Sequence, residues 1–279
     1  MSQVWLITGS SRGLGRELAE AVLVAGHRLV ATARRPEVLD DLVLRHGDRV
    51  RAVALDVTDA AAARAAVRTA VEEFGSLDVV VNNAGYGAIS AIEETSDEDL
   101  RTQIETNLFG VVNVTKAALP VLRGQRSGHV IQIASVSGRV AVMPGIGAYQ
   151  MAKFAVAGFS ECLSMEMRPF GVKVTIVEPG AMRTDWVAAS ARAAQATENY
   201  DQTVGEAARL FAAYSGNELV DPARVARAVV DLACTDEPPL RLLLGSDAVE
   251  IAGNAAKARA TEDEKWSDVS RSVDFRPAP

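Results

Sequence analysis

Short runs that are apolar at nearly every position alternate along the chain with segments of helical periodicity, and this alternation narrows the fold more than any other feature. Val4-Trp5-Leu6-Ile7, Leu29-Val30-Ala31-Thr32-Ala33, residues 50–55, Val79-Val80-Val81, His129-Val130-Ile131-Gln132-Ile133, residues 172–177 and residues 240–244 read as strands. Helical patterns separate them at 17–25 (stopped by Gly26), 38–44, 60–74 (closed by Gly75), 97–122, 149–168 and 222–233. A strand with no polar face needs cover on both sides. The pattern therefore predicts an α/β chain, a doubly wound parallel sheet of about seven strands with helices on both faces.

The longest helical pattern, 97–122, carries the stripe Leu100, Ile104, Leu108, Val111, Thr115, Ala118 and Leu122, with Ser96 as its N-cap. From 183 to 216 the pattern loosens around Trp186, Tyr200 and Tyr214, and after Gly245 a polar helical tail follows. No repeat or linker divides the chain. The expectation is one domain over 1–245, including a substrate loop at 183–216, with a helical, polar extension at 246–279.

A net charge of −7 argues against nucleic acid as a partner, which selects a basic face. The chain runs straight into its first strand, and no stretch reaches the ~20 apolar residues of a membrane span. A cytoplasmic protein without a membrane partner is expected. Cys162 and Cys234 lie in apolar, helical-looking surroundings and read as reduced core thiols. His27, His46 and His129 read as surface or cap residues, and no His/Cys/carboxylate spacing suggests a metal.

In an open parallel sheet, ligands bind beyond the carboxyl ends of the strands. This chain places Thr8-Gly9-Ser10-Ser11-Arg12-Gly13-Leu14-Gly15, Asp56, Asn82-Asn83-Ala84-Gly85, Ser135 and Pro179-Gly180 there. Glycines let the backbone approach a diphosphate, and the following helix aims its free N–H groups at the anion. The spacing is Gly-x-x-x-Gly-x-Gly, not the general dinucleotide fingerprint, so a tight strand-to-helix turn is the plain alternative. The second strand ends Ala33-Arg34-Arg35, where a carboxylate would bond the ribose of NAD. Guanidinium groups match a 2′-phosphate instead, which favours NADP(H) over NAD(H), unless both arginines are simply solvated.

Tyr149 and Lys153, at i and i+4, share a helix face. A neighbouring cation favours a phenolate and is expected to lower the Tyr149 pKa, with Ser135 able to hold an oxygen beside that phenol. Taken alone, the spacing also fits a solvated lysine beside a half-buried tyrosine.

These residues, in this order and spacing over about 4–245, resemble the short-chain dehydrogenase/reductase family, whose fold is of the Rossmann type. The resemblance implies an NADP(H)-dependent oxidoreductase acting on a carbonyl or secondary alcohol. Tyr149 would be the general acid or base, Lys153 would tune it and bond the nicotinamide ribose, and Ser135 would polarise the substrate oxygen. Asn107 would interrupt its helix so that a backbone carbonyl anchors a water leading from Lys153 to solvent. Gly9, Ser11, Arg12, Gly13, Leu14, Gly15, Arg34, Arg35, Asp56, Val57, Asn83, Ala84, Gly85, Pro179, Gly180, Met182 and Thr184 would complete the cofactor site, with Asp56 on the adenine. Asp56 as a helix cap, Asn82 as a turn residue and Asn107 as a solvent-facing polar residue are the alternatives.

Tyr86, Val136, Met143, Ile146, Met182 and Trp186 would line a mostly apolar substrate space, favouring a hydrophobic or amphipathic carbonyl compound. The polar tail replaces the short glycine-rich terminal strand of tetrameric members, so a dimer is favoured over a tetramer. Two rival readings are a non-catalytic NADP(H) sensor and a nucleotide-sugar epimerase or dehydratase; the retained Ser135, Tyr149 and Lys153 weigh against the first, the glycine spacing against the second.

Overall fold

The computed structural model describes residues 2–184, 190 and 197–275. Trp186, one of the expected substrate residues, lies outside them. Seven strands, β1 (Val4–Ile7), β2 (Arg28–Ala33), β3 (Val50–Ala54), β4 (Val79–Asn82), β5 (Gly128–Ile133), β6 (Val172–Pro179) and β7 (Arg241–Leu244), form one sheet in the order β3-β2-β1-β4-β5-β6-β7. Every neighbouring pair is parallel. The described helices are α1 (Gly13–Val24), α2 (Asp40–His46), α3 (Ala60–Phe74), α4 (Asp97–Ile104), α5 (Gly110–Gln125), α6 (Gly147–Met167), α7 (Glu206–Tyr214), α8 (Pro222–Ala233), α9 (Ser246–Lys265) and α10 (Ser267–Arg271).

Side chains alternate across a strand, so β1 divides its apolar residues between two cores. Trp5 and Ile7 join Val79 and Val81 under α1 and α8, with Leu18, Val22, Val225 and Val229. Val4 and Leu6 join Val80 and Val130 under α3, α5 and α6, with Val67, Val114 and Leu163. All four β1 residues are fully buried, and each such large apolar side chain stabilises the fold by roughly 1.5–3 kcal/mol. The two-sided burial expected from the strands holds for β1, β2, β4, β5 and β6, while the edge strands β3 and β7 are only partly buried.

The helical pattern over 97–122 is interrupted at Asn107, as the family resemblance implied. Ser96 caps α4 as predicted, by accepting from the Asp99 N–H, but residues Glu105–Phe109 form a π-turn between α4 and α5. Asn107 is the cause that the side chains reveal. It is fully buried; its Oδ1 accepts from the Tyr86 N–H at 2.9 Å and its Nδ2 donates to the Tyr86 carbonyl at 2.7 Å. A solvent-facing Asn107 is thereby overturned. The stripe recovers beyond the turn, where Val111, Thr115, Ala118 and Leu122 are buried.

The described residues of 183–216 hold more regular structure than their pattern suggests. They form a short 3-10 turn, Glu198–Tyr200, a π-turn, Asp201–Gly205, and α7. No residue of α7 is fully buried, but its apolar face is partly covered where Ala208 and Phe211 pack against Ile89, Ile146 and Val204.

Two expectations about polar residues fail. His27 and His129 are buried, at 7% and 2% exposure, because β1's neighbourhood and the sheet interior leave no surface at these positions. His27 Nδ1 accepts from the Gln3 N–H and its ring lies against Trp5. His129 Nε2 lies 2.9 Å from Thr175 Oγ1. His46, half-buried, is the last residue of α2, and His27, though buried, follows the end of α1, where its N–H donates to the Val22 carbonyl, so both sit near helix termini as expected. Cys162 and Cys234 are free but exposed, not core thiols. Cys162 is on the opposite face of α6 from Val156, Ser160 and Met167, and Cys234 is the residue that ends α8.

Two outcomes follow from these packed polar groups. Asn107→Ala leaves both Tyr86 backbone groups without their partner and is expected to lower unfolding stability by about 2 kcal/mol in urea melts. Burial, and next the Lys173 charge, bring His129 down to about 4 from an ordinary 6.5. The unfolded chain therefore binds a proton that the native state refuses. The contribution is fully present above about 6.5 and is lost as pH falls toward 4. Between pH 7 and pH 5 the loss should be about 2 kcal/mol, and His129→Gln, neutral at both values, should lose correspondingly less.

Candidate active site

The glycine loop between β1 and α1 is held from below by one hydroxyl. Thr8 Oγ1 accepts from the N–H groups of Asn83 and Ala84, both at 2.9 Å, while Asn83 Nδ2 donates to the carbonyls of Thr8 and Gly9. This stitch joins the loops after β1 and β4. Gly9 has a φ of 70° and Gly13 one of 53°, conformations that favour glycine. At Gly15 the reason is space: a Cβ there would stand 2.1 Å from the Gly9 carbonyl oxygen and 2.4 Å from Asn83 Nδ2.

The loop leaves the start of α1 free for an anion. Arg12 precedes the helix in extended conformation without a side-chain cap, and the first turn carries no acidic residue. Unpaired N–H groups and the positive end of the helix dipole suit a diphosphate there. Arg12, Arg34 and Arg35 are exposed, and among the described residues no carboxylate forms a contact ion pair with them, although the Arg34 charge reaches Asp56. By contrast, Arg16 and Arg45 on the same side are engaged by Glu20 and Asp41.

Asp56 does not cap α3; Asp59 does, accepting from Ala61 and Ala62. The Asp56 carboxylate instead accepts from the N–H and hydroxyl of Thr58, which, ahead of Arg34, hold it below the usual carboxylate range. Val57 is buried, so close that a Cβ on Gly110 would lie 2.5 Å from its Cγ2. Asn82 does more than steady a turn: its Nδ2 donates to Thr115 and Gln132 in the core.

Ser135, Tyr149 and Lys153 meet where β5 ends. Ser135 Oγ accepts from the Ser137 N–H at 3.1 Å and is also hydrogen-bonded with the Tyr149 phenol. Lys153 is buried, donates to the Ile133 carbonyl at 2.7 Å, and places its Nζ 5.6 Å from the centre of the Tyr149 ring. The expected lowering of the Tyr149 pKa is reversed. Burial pushes the phenol up to about 12, opposed by the Ser135 hydrogen bond, and burial brings Lys153 down to about 8. Desolvation outweighs the cation's influence because both groups lose water together. The phenol thus holds its proton at neutral pH.

An apolar wall flanks this cluster. Met143, Ile146 and Tyr149 pack with Ile89, Ala91, Tyr200, Val204 and Phe211. Tyr86 stays half-buried beside Asn107. Val136 is not part of the wall: it packs with Ala248 and Ala252 of α9. Met182 also lies elsewhere, against the α1-side core and bridged to Val220. The wall residues that sequence reading missed include Ile89, Tyr200, Val204 and Phe211. The apolar Ile89 and Ala91 just beyond Gly85 were the available signal, and Ser90 indeed bridges to Ile146.

Pro179 ends β6, and the segment with Gly180, Met182 and Thr184 that follows reaches back to the glycine loop at Thr184, which a Cβ on Gly13 would meet at 3.7 Å. Below them Glu178, fully buried, accepts from Arg139 at 2.6 Å and Arg241 at 2.8 Å. Burial raises its pKa and the two guanidinium groups oppose that. This ion-paired carboxylate was also missed. No group of three or more His, Cys, Asp or Glu side chains is placed to hold a metal among the described residues, and no described helix is long and apolar enough to cross a membrane.

Residues 3–195 match the short chain dehydrogenase family. The chain is 49% identical to the oxidoreductase BOA17 of Botryotinia fuckeliana, across 97% of this chain and 98% of that one. Its fold superposes on a short-chain dehydrogenase from Streptomyces avermitilis with a TM-score of 0.90 and 38% identity, covering 99% of this chain and all of the other. An alcohol dehydrogenase from Thermococcus sibiricus, solved with 5-hydroxy-NADP, aligns at a TM-score of 0.71 and 28% identity over 88% of this chain and 96% of its own. Sheet order, loop chemistry and relatives agree: the chain belongs to the short-chain dehydrogenase family, whose oxidoreductases use a nicotinamide cofactor.

Proposed function

We propose that this protein is an NADP(H)-dependent reductase of hydrophobic ketones or aldehydes, and in reverse a dehydrogenase of the corresponding alcohols. The observation that carries the reading is the meeting of Ser135, Tyr149 and Lys153 beside an apolar wall. Residues 1–245 form the catalytic domain in this reading, and 246–279 the extension.

Bound nicotinamide supplies or accepts the hydride. In reduction, Ser135 donates a hydrogen bond to the substrate's carbonyl oxygen, and Tyr149 passes its phenolic proton to that oxygen as negative charge develops. A phenol near pKa 12 is fully protonated beforehand. Lys153 then stabilises the phenolate that remains, and its own proton, near pKa 8, is available to restore the phenol. The π-turn at Asn107 frees local backbone for a water path between Lys153 and solvent. Arg34 and Arg35, with Arg12 nearby, bind the 2′-phosphate; Asp56 takes the adenine, and residues 83–85 line the way to the nicotinamide. The apolar wall orients a hydrophobic substrate.

Tyr149→Phe is expected to retain NADPH binding while turnover falls about 10²–10⁴-fold. Unchanged turnover in a screen of ketones, aldehydes and quinones would remove Tyr149 from the mechanism and leave the sensor reading standing. Replacing both Arg34 and Arg35 by Ala should raise KM for NADPH at least about tenfold and that for NADH little, because only the former loses charge-assisted bonds to a phosphate. Equal changes for both cofactors in steady-state kinetics would refute the NADP(H) preference.

A further inference from the structure

The carboxylate of Asp247, on the first turn of α9, occupies the space that a side chain at Gly180 would need. A Cβ on Gly180 would lie 2.1 Å from Asp247 Oδ1 and 2.2 Å from Oδ2. Gly180 has no left-handed φ, so space, not backbone conformation, demands glycine here. Asp247 Oδ2 accepts from the Ala181 N–H at 2.8 Å, and the Gly180 N–H donates to the Leu244 carbonyl at 2.9 Å. On the other side of the same loop, Val220 donates to the Ala181 carbonyl and accepts from the Arg183 N–H. The segment 180–183 is therefore clamped at both edges before it reaches Thr184 at the glycine loop.

The rest of α9 reaches the neighbouring loop. Ala248 and Ala252 pack on Val136, one residue past Ser135, and Arg259 donates to the Arg139 carbonyl. The extension thus touches the loops that follow both β5 and β6. Asp247 Oδ1 is buried with no hydrogen-bond partner. Leaving an acceptor so placed costs free energy, and its counterpart is the tight approach to Gly180.

We propose that Asp247 is a positioning residue for the cofactor: its carboxylate fixes residues 180–184 against the start of α1, so that α9 sets NADP(H) affinity from outside the pocket. This rests on the NADP(H) reading above. The acceptor acts through the loop and touches neither substrate nor reacting atoms.

The test is a set of NADPH titrations followed by quenching of protein fluorescence, with thermal melts in parallel, on the full chain carrying Asp247→Ala, Asp247→Asn, Gly180→Ala or the Gly180→Ala/Asp247→Ala pair. Losing the Ala181 bond should raise Kd for NADPH about tenfold, with kcat at saturating cofactor altered less than KM. Asp247→Asn keeps a carbonyl acceptor and should stay within about threefold of wild type. Gly180→Ala should weaken binding strongly in the wild-type background and add little once Asp247 is Ala, because the methyl then has room. An unchanged Kd in Asp247→Ala, or an equal penalty for Gly180→Ala in both backgrounds, overturns the role. Should Asp247→Ala not fold, Asp247→Ser carries the same comparison. Wild-type protein that binds no NADPH refutes the parent reading, whereas normal wild-type binding with unaffected variants refutes Asp247 alone.

Discussion

Because every strand is parallel, all seven carboxyl ends lie along one edge of the sheet, and because the central strands are buried on both faces, nothing else on that edge can shift without disturbing two cores. Loops separated by tens of residues are therefore brought together by the sheet alone. The side chains then add short, local ties: Thr8 to Asn83 and Ala84, Asn107 to Tyr86, Lys153 to Ile133. Each tie uses a polar group removed from water, where an unmade bond would be costly.

The same dryness governs the electrostatics of the candidate site. Tyr149 and Lys153 are both driven toward their neutral forms, upward for the phenol and downward for the ammonium. A charge introduced nearby by a ligand would act in this low-polarity space more strongly than in water. The arginines at the mouth behave differently. Arg12, Arg34 and Arg35 stay in solvent, while Glu178, deep under the β6 loop, is paired twice. Paired charge thus lies beneath the β6 loop, and solvated positive charge lies on the glycine loop and just past β2.

The sheet, its parallel sense and the positions of most helices were legible because apolar runs and glycine stops are local signals. The glycine loop, Ser135, Tyr149 and Lys153 could be read for the same reason. What escaped depended on distant partners. The break at Asn107 was expected from the family resemblance alone, since no local pattern announces Tyr86, 21 positions earlier, and helical periodicity runs smoothly through the π-turn. His129 resembles an exposed strand start until β4 and β6 are seen on either side of β5. Cys162 was misread because an apolar neighbourhood along α6 includes its solvent face. The apolar wall joins Ile89 with Ile146 and Val204, which only the packed chain brings together. The side chains of Val57 and Val136 pack into the core, Val136 against Ala248 and Ala252, a burial that only the packed chain reveals.

The Asp247 contact has a consequence for how the molecule is made. Its partner Ala181 lies 66 positions earlier in the chain, and the Thr8 hydroxyl waits 75 positions for Asn83. Such long separations make folding slow relative to helical chains, since distant segments must meet before their bonds form. During synthesis the glycine loop can be braced once β4 has emerged, whereas the loop after β6, which Val220 and Leu244 can hold first, gains its last clamp only when the first turn of α9 is available. The order in which the ribosome releases the chain is thus also the order in which the two halves of the cleft become rigid.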